Sequence, residues 1–529
     1  MTRRRPERRR VVALPLALEA QSQRMNERVS QDIVIAGGGT AGWMAAALLA
    51  RFLPKRKITL VESETIGTVG VGEATIPQIH LFNQALGLDE AQFVRETNAT
   101  FKLGIEFDGW TRQGERYMHA FGPVGRTVGI TPFRQLWLRA HAAGKAGPLG
   151  DYKFNEVAAR AGRMAIPDPR QPRPSDLVYA YHFDASLYAG FLRRYAEERG
   201  VARVEGLIED VEVDGQSGDI AALRLDGERR IEGKFFVDCT GFRSVLLGGA
   251  LGVPFDDWSH LLPCDRAYAV PSARSEAFRP YTQAMARDAG WQWRIPLQHR
   301  TGNGHVFCSR FISEDEAAAT LLANLDGEAL DDPRLLRFTT GRRARAWERN
   351  CIAIGLAAGF MEPLESTSIH LVQSSLARLL KFLPDGDIGP QTRASFNRMT
   401  DVEWTLIRDF IVLHYSANAR DGAFWSMVRD MALPETLQEK IRLYQEGGTI
   451  IRQEADLFTD EAWTQVLAGQ GIEARGVSPM AADVPLSELV DFLGMLSKGY
   501  RDVAAQLPSH ADFVSSIVAR AGARPGVSA

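Results

Sequence analysis

The first ordered pattern of apolar residues begins near residue 32. Residues 32–36 are almost entirely apolar, which predicts a short buried strand. Residues 40–53 are rich in alanine and leucine and predict a helix, and residues 58–62 predict a second strand. A strand, a helix and a strand in this order form the opening unit of a doubly wound α/β sheet.

Later apolar patterns predict further strands and then a run of helices. Large apolar residues alternate with other residues along 101–107, which predicts one strand with an apolar face. Residues 235–240 and 351–354 predict buried strands that end at glycines, and the apolar spacing over 366–383 predicts a helix. Strand signals fade beyond about residue 393, and helices are expected at 402–413, 434–444 and 486–507.

Composition narrows the function classes. The 529 residues include 62 basic and 65 acidic ones, so no bulk charge favours a nucleic-acid partner. No apolar run is long enough to span a bilayer, so no membrane segment is expected. The four cysteines form no C-x-x-C pair and the ten histidines show no ligand spacing, so we expect no metal and a reducing, cytoplasmic location.

A glycine-rich segment follows the first predicted strand. Gly37, Gly39 and Gly42 fit G-x-G-x-x-G, in which glycines let the backbone approach a pyrophosphate at a helix N-terminus. Glu62 ends the second predicted strand, where a carboxylate can accept a hydrogen bond from a ribose hydroxyl. These residues predict a dinucleotide site.

The motif alone does not distinguish FAD from NAD. Two segments that follow buried strands, 237–244 and 354–359, are of a kind that recurs in FAD-dependent oxidoreductases and favour FAD. No second G-x-G-x-x-G is available for a nicotinamide nucleotide. We therefore expect reduced FAD to come from a separate NAD(P)H-dependent flavin reductase.

Four motifs in order along the chain carry a family resemblance. They are GGGTAGWM at 37–44, GVGEATIP at 70–77, WQWRIP at 291–296 and EPLEST at 362–367. The sequence resembles the flavin-dependent tryptophan halogenases over nearly everything after residue 30. The resemblance implies a Rossmann-type FAD-binding fold of the FAD-dependent oxidoreductase and monooxygenase kind, with an added, mainly helical C-terminal module. It also implies that reduced FAD, oxygen and a halide, chloride or bromide, form hypohalous acid, which halogenates an electron-rich ring.

The resemblance assigns two catalytic residues. Lys102 matches the lysine that receives hypohalous acid; from the residue alone, a lysine here could equally form an ordinary salt bridge. Glu365 matches the catalytic glutamate, and a carboxylate there can stabilise a cationic ring and remove its proton. Glu365 could also help cap the following helix, since Ser366 and Thr367 are good N-cap types.

Other positions follow from the same motifs. The halide is expected at Thr367 and Ser368, where backbone N–H groups open a helix. Ser368 replaces a glycine usual in the tryptophan-specific members, so the preference between chloride and bromide stays open. The residues expected to contact the substrate are His119, Phe121, Pro363, Phe458 and Trp463. The residues expected to contact FAD are Gly37, Gly39, Thr40, Ala41, Gly42, Glu62, Val71, Gly72, Glu73, Ala74, Gly355 and Leu356.

The segment 451–471 departs from the family pattern. Free-tryptophan halogenases hold the amino acid with a tyrosine pair and an acidic residue in a C-terminal lid that corresponds to this segment. The segment contains no tyrosine here and offers Phe458, Glu461 and Trp463. Recognition of a charged amino acid needs paired polar groups. Indole, or another indole-bearing molecule, is therefore the expected substrate.

Three parts of the chain are expected. Residues 1–30, with six arginines in 3–10 and an apolar run at 11–18, form a basic, disordered extension, although their order also resembles a secretory signal. Residues 31–392 form an FAD-binding module with an inserted substrate-site sheet, and residues 393–529 form a mainly helical module that covers the substrate site. The protein could form a homodimer.

Two other functions compete with halogenation. A flavin-dependent aromatic monooxygenase shares the cofactor site but does not need Lys102 or a halide. A non-catalytic FAD-binding protein would need neither Lys102 nor Glu365. The presence of both residues in their motifs favours a halogenase.

Overall fold

The computed structural model describes residues 32–66, 72–167, 177–276 and 278–523. The extension expected at 1–30 lies outside these residues, as does Val71. Within the described ranges, no helix combines the length and apolar character needed to cross a membrane. The same residues contain no group of three or more His, Cys, Asp or Glu side chains suited to a metal ion.

The predicted strand–helix–strand unit opens a six-stranded sheet. Ile33–Ala36 pairs in parallel with Ile58–Glu62 on one side and Phe235–Asp238 on the other. The apolar run is buried because strands cover both edges of Ile33–Ala36 and the helix Thr40–Phe52 follows it. In sheet order the strands are Trp347–Glu348, Cys351–Ala353, Phe235–Asp238, Ile33–Ala36, Ile58–Glu62 and Ala202–Glu205. The α/β prediction is confirmed.

A seven-stranded sheet forms the second large layer. Its neighbours are antiparallel except for Thr282–Arg287 and Gly104–Asp108, which run parallel. In sheet order its strands are Arg334–Arg337, Arg266–Ser272, Thr301–Phe307, Gly290–Pro296, Thr282–Arg287, Gly104–Asp108 and Arg116–Ala120. This sheet carries the W-x-W motif on Gly290–Pro296 and His119 on Arg116–Ala120.

Three small sheets complete the strand structure of the described residues. Their strands are Gly72–Ala74, Ala180–Asp184 and Thr100–Lys102; Arg230–Glu232, Ile220–Leu225 and Ile208–Val213; and Phe255–Asp257, Gly341–Arg343 and Gly359–Phe360. The first of these holds both Gly72–Ala74, from the motif at 70–77, and Lys102, so it brings this motif and the predicted catalytic lysine together.

The helices surround these sheets, and from Pro390 to Ala523 the regular elements are all helices in the described residues. The α-helices are Thr40–Phe52, Ile79–Leu86, Glu90–Glu96, Phe133–Ala142, Phe154–Arg160, Ala185–Glu197, Glu314–Ala323, Ser368–Phe382, Pro390–Ser416, Ala423–Arg429, Glu435–Gly447, Asp460–Gly469, Pro479–Ala482, Leu486–Ala505 and His510–Ala523. The module boundary expected at 392/393 falls in the first turn of Pro390–Ser416. The division into modules itself stays a prediction.

One predicted strand is wrong. Residues 101–107 are split between Thr100–Lys102 and Gly104–Asp108, which belong to different sheets. At the break, Leu103 donates its backbone N–H to the carbonyl of Pro280 at 2.7 Å. Both faces of the segment are buried, so the apolar alternation did not reflect a solvent-facing side and could not reveal the break.

Candidate active site

The glycine-rich turn lies at the carboxyl end of the first strand. Gly37 has φ +103°, and a Cβ there would lie 2.3 Å from the carbonyl oxygen of Cys239. A Cβ at Gly42 would lie 1.9 Å from the carbonyl oxygen of Gly37. Only glycine therefore permits this close approach of turn, helix and neighbouring strand. The helix Thr40–Phe52 has no side-chain cap and no acidic residue in its first turn, so its N-terminus can receive an anion.

A cavity of about 420 Å³ opens at this turn, and we call it the flavin cavity after the cofactor that the sequence predicts. Ten of the twelve residues expected to contact FAD line it: Gly37, Gly39, Thr40, Ala41, Glu62, Gly72, Glu73, Ala74, Gly355 and Leu356. Gly42 does not line it and acts in the turn itself, and Val71 lies outside the described residues. The turn, the cleft and the apolar walls fit a dinucleotide with a flat ring system.

Glu62 is oriented by a neighbouring strand. Its Oε1 accepts a hydrogen bond of 2.5 Å from Nε of Arg203. Its Oε2 occupies the space beside Gly38, where a Cβ would lie only 1.5 Å away. The carboxylate is thus held at the cavity wall in the place where the sequence predicted a ribose contact.

Part of the cavity wall was not named from the sequence. Gly206 and Leu207 follow the strand Ala202–Glu205 and were missed entirely. Phe242 and Arg243 follow Phe235–Asp238 and lie in the segment 237–244 that favoured FAD, although neither was named as an FAD contact. All four come after the carboxyl ends of parallel strands, which is where ligands bind in open α/β sheets. The signal that could have found them is that they follow strands close to the first strand in the sheet. Recognising this signal requires the order of the strands, which the sequence does not give.

The apolar wall of the cavity comes from the seven-stranded sheet. Trp291 and Trp293 line the cavity and are 1% and 7% exposed. The indole N–H of Trp291 donates a 2.9 Å hydrogen bond to Oε2 of Glu362, which also accepts from the Tyr415 hydroxyl. Burial raises the pKa of Glu362 to about 7. These side chains separate the cavity from the residues behind it.

Behind this wall, the structure buries Lys102 completely. Its Nζ donates to the carbonyl of Thr75 at 2.9 Å and to Oγ of Ser366 at 2.7 Å, and it lies 5.3 Å from the centre of the Phe121 ring. In the described part of the chain, no carboxylate lies within salt-bridge distance of it. Burial lowers the pKa of Lys102 to about 7, although Glu365 acts in the opposite direction. The ordinary salt-bridge reading is therefore wrong.

Ser366 lies between the flavin cavity and Lys102. It lines the flavin cavity and accepts the hydrogen bond from Lys102, and its φ of +59° places it in the left-handed region. Strain of this kind in a non-glycine residue is uncommon and clusters at functional sites. The sequence suggested only a helix-capping role for Ser366, but its Oγ is engaged by Lys102.

The helix after Ser366 begins at the residues expected to bind halide. Thr367 precedes the helix Ser368–Phe382, which has neither a side-chain cap nor an acidic residue in its first turn. Ser368 lines the flavin cavity, while Thr367 is buried at 1% exposure. The first N–H groups of a helix have no partner within the helix, so an anion can bind there.

Two histidines hold the carboxylate of Glu365, which is 1% exposed. Nδ1 of His119 lies 2.8 Å from Oε2, and Nε2 of His414 lies 2.7 Å from Oε1. On its other side, Nδ1 of His414 lies 3.1 Å from the hydroxyl of Tyr117. Burial, assisted by His119, lowers the pKa of His414 well below its usual value, so it is a neutral donor to Glu365 that accepts from Tyr117.

His414 could not be found from the sequence. It lies in the last turn of the helix Pro390–Ser416, 49 positions from Glu365, with no motif around it. His119 was expected to contact the substrate ring, but its Nδ1 is engaged with Glu365. Its ring centre also lies 5.6 Å from Phe410 and 6.1 Å from Phe458, so one face still borders an aromatic cluster.

The other expected substrate residues occupy different surroundings. Phe458 stacks on Phe410 with ring centres 3.8 Å apart, whereas Pro363 lines the flavin cavity. Trp463 is fully buried, meets Phe410 edge to face and carries Nζ of Lys440 4.4 Å above its ring. Phe410 was missed by the sequence prediction and lies at the centre of this aromatic cluster.

Comparison with known proteins adds to this geometry. The family model described as tryptophan halogenase matches residues 32–486. The chain is 39% identical over 448 residues to tryptophan 6-halogenase SttH of Streptomyces toxytricini, covering 80% of this chain and 85% of that protein. It is 36% identical to tryptophan 7-halogenase RebH of Lentzea aerocolonigenes, covering 91% of this chain and 98% of that protein.

Solved structures show the same likeness. The flavin-dependent halogenase Xcc4156 from Xanthomonas campestris has a TM-score of 0.89 and 48% identity, covering 93% of this chain and 99% of that one. BrvH, a flavin-dependent halogenase from Brevundimonas sp. BAL3, also has a TM-score of 0.89, with 42% identity over 93% of this chain and 100% of that one.

Proposed function

This chain belongs to the tryptophan halogenase family and is a flavin-dependent halogenase, and from that premise we propose how its own residues carry the reaction. It uses FAD and a halide to halogenate an electron-rich aromatic ring, for which indole is the best candidate. The observation that carries this proposal is the buried trio of Lys102, Ser366 and Glu365 directly behind the flavin cavity.

The cofactor cavity is built for the pyrophosphate and ring system of FAD. The amides at the start of Thr40–Phe52 would hold the pyrophosphate, and Glu62 would accept a hydrogen bond from a ribose hydroxyl. Trp291 and Trp293 exclude water from the wall that faces the flavin ring. When bound, FAD supplies the redox chemistry by which oxygen and a halide become hypohalous acid.

Lys102 is the residue placed to receive that acid. Its Nζ is reached from the flavin cavity through Ser366, whose Oγ lies 2.7 Å from it. With a pKa of about 7, the amine is shared between an ammonium, which donates a hydrogen bond to hypohalous acid, and a neutral amine, which can carry the halogen. The amides at Thr367 and Ser368 hold the halide on the flavin side.

Glu365 completes the substitution. The halogen leaves hypohalous acid and bonds to a ring carbon, and the hydroxide left behind takes a proton from the Lys102 ammonium and becomes water. The ring proton moves to the Glu365 carboxylate and replaces the proton that Lys102 gave up, so the ring and hypohalous acid become the halogenated ring and water. His119 and His414 each hold one oxygen of that carboxylate and so fix its orientation.

A product screen by mass spectrometry tests this proposal. An indole and phenol panel is crossed with chloride and bromide, with FAD and a generic flavin reductase supplied. We expect halogenated indoles from the wild type and none from Lys102→Ala, with FAD binding retained. The exposed Lys498, whose side chain is 74% exposed, gives the matched control Lys498→Ala, which should leave product formation unchanged.

The other outcomes of this screen decide between functions. Hydroxylated rings without halide dependence would support the aromatic monooxygenase. The absence of any product across the panel would support a non-catalytic FAD-binding protein. Undiminished halogenation in Lys102→Ala would show that free oxidant escapes from the flavin cavity and that Lys102 has no role.

The substrate we propose lacks a free amino-acid group. Two acidic residues of the 451–471 segment are already engaged: Asp456 with Lys440 at 2.7 Å, and Asp460 with Arg134 at 2.9 Å. A substrate ammonium would therefore have to displace a protein cation to reach either one. Phe458 of this segment instead stacks on Phe410 and lies beside His119, so the surroundings of Glu365 on this side are aromatic.

Competition between indole and L-tryptophan tests this substrate preference. We expect kcat/KM for indole to exceed that for L-tryptophan by at least about tenfold, because Asp456 and Asp460 are already paired with protein cations and the segment has no tyrosine to hold the amino-acid group. An equal or higher kcat/KM for L-tryptophan would contradict this preference without affecting the proposed roles of Lys102 and Glu365.

We further propose that reduced FAD comes from a separate NAD(P)H-dependent reductase. The support is the single G-x-G-x-x-G in the chain. Purified protein with FAD and NADH should not consume NADH until a reductase is added; consumption by the chain alone would contradict this. A homodimer and a cytoplasmic location stay predictions from the sequence.

A further inference from the structure

A second cavity lies on the face of the seven-stranded sheet that is turned away from the flavin cavity. Along Gly290–Pro296, Trp291 and Trp293 line the flavin cavity, and the alternating residue Arg294 lines the second one. The second cavity has a volume of about 620 Å³ and a strongly polar wall. None of the described residues lines both cavities.

The wall of this second cavity is positively charged. It carries five arginines and three aspartates, a net charge of +2. Two aspartates are paired within the wall: Asp108 lies 2.9 Å from Arg116, and Asp326 lies 2.7 Å from Arg294 and 3.3 Å from Arg279. These pairs account for three of the five arginines.

The remaining arginines, Arg287 and Arg420, have only neutral partners. Nε and Nη2 of Arg287 both donate to the amide oxygen of Gln292, at 3.1 and 2.9 Å. Arg420 donates to the carbonyl of Gly109 and lies 4.9 Å from the centre of the Trp425 ring. In the part of the chain that the structure describes, no carboxylate oxygen lies within 4.0 Å of either guanidinium.

Two guanidinium groups of the wall, those of Arg420 and Arg294, are also incompletely hydrogen-bonded. Nε of Arg420 and Nε of Arg294 are buried and have no hydrogen-bond partner, and Arg294 is only 9% exposed. Burial lowers the pKa of Arg287, and the neighbouring charge of Arg294 lowers it further, while Asp108 and the exposed Asp288 act in the opposite direction. Arg287 and Arg420 are half-buried and neither forms an ion pair in the described residues, so the excess positive charge of the wall faces the cavity.

We infer that this second cavity binds a small, highly polar oxyanion with two negative charges, such as a phosphate group or a dicarboxylate, between Arg287 and Arg420. Guanidinium groups match the paired oxygens of both classes. The charge of the ligand balances the excess of the wall. The volume lies in the usual range for small-molecule sites, and the polar wall excludes an apolar ligand. This site is independent of the proposed halogenation.

Isothermal titration calorimetry on the FAD-loaded protein tests the inference. FAD must be bound so that the pyrophosphate turn cannot take up the probe. Inorganic phosphate and malonate are titrated separately at constant ionic strength, and chloride serves as the monovalent comparison. We expect saturable binding of at least one dianion at one site per chain, and binding at least about tenfold weaker in R287Q/R420Q. The variant R112Q/R398Q also removes two charges from each chain, at exposed positions outside the cavity wall, and should bind as the wild type does.

Each outcome bears on the site. Binding of phosphate alone or of malonate alone supports it and identifies the source of the oxyanion. Equal binding by R287Q/R420Q, or no binding of either dianion, overturns it. Thermal unfolding guards against a folding defect. Without a dianion, R287Q/R420Q should melt close to the wild type, because neither guanidinium forms an ion pair in the described residues, and a dianion should raise the melting temperature of the wild type only.

Discussion

Replacing Lys102 by methionine tests the physical basis of the active site. Methionine keeps the length of the side chain and removes the amine, which the structure buries among Thr75, Ser366 and Phe121. If burial holds the pKa near 7, the buried ammonium destabilises the folded protein, because the same group is solvated by water in the unfolded chain. We therefore expect the variant to lose halogenation while becoming more stable at neutral pH.

The size of this effect follows from the pKa difference. Burial lowers the pKa of Lys102 from 10.5 to about 7. At pH 7 this difference opposes folding of the wild type by about 4 kcal/mol, so removing the amine should stabilise the variant by that amount. The variant also loses two hydrogen bonds, which together offset about 2 kcal/mol of this stabilisation. Lys102→Met should thus be more stable than the wild type by about 2 kcal/mol at neutral pH.

The pH dependence has a definite sign. The unfavourable contribution is fully present below the folded pKa, and it declines as pH rises toward the unfolded value, because the unfolded chain then binds more protons than the folded one. Between about pH 6 and about pH 9, the wild type should gain about 2.5 kcal/mol of stability relative to Lys102→Met. Chemical unfolding of both proteins at several pH values measures this difference.

The control and the refuting result use the same assay. Lys498→Met removes an exposed amine and should change stability by less than about 0.5 kcal/mol at each pH. A difference between wild type and Lys102→Met that stays constant over this pH range would refute the reasoning. It would mean that the amine is hydrated or paired in solution, and the argument for a proton-sharing lysine would be lost.

Three further predictions concern the carboxylate and the cofactor turn. Glu365→Gln should lower the halogenation rate by about 10²- to 10⁴-fold in product assays while FAD binding is unchanged, and a loss below tenfold would contradict its role as base. His414→Phe should lower kcat by at least about tenfold, because Glu365 loses the hydrogen bond that holds one of its carboxylate oxygens in place, while His414→Gln should restore much of kcat; equal kcat in all three proteins would exclude a positioning role. Gly38→Ala should weaken FAD binding at least about tenfold in a fluorescence titration, because the added Cβ would displace Glu62, and activity should return at high FAD concentration. Unchanged affinity for FAD would show that the Glu62 carboxylate does not contact the ribose.

The position of two carboxyl groups in one short segment links the flavin wall to the catalytic pocket. Glu362 is held by Trp291 and Tyr415, and Glu365 is held by His119 and His414. His414 and Tyr415 are consecutive residues of one helix, so this helix holds both carboxyl groups at once. A displacement of that helix would therefore disturb the cavity wall and the proposed base together.

Local patterns determined a large part of this protein in advance. The run at Ile33–Ala36, the glycine turn and the strand Ile58–Glu62 were predictable because each depends on residues that are neighbours in the chain. The helix predicted over 366–383 is observed as Ser368–Phe382 for the same reason. Four motifs in a fixed order carried the family resemblance, and through it the candidate roles of Lys102 and Glu365.

Only the tertiary structure decided which groups surround those residues. The break at Leu103 depends on Pro280, and the orientation of the Glu365 carboxylate depends on His414. In the described residues, no aspartate of the second cavity lies within salt-bridge distance of Arg287. Periodicity and propensity describe the chain over a few residues, whereas each of these contacts joins segments far apart in sequence. Their geometry follows from the order of the strands and the course of the long helix, which no local pattern encodes.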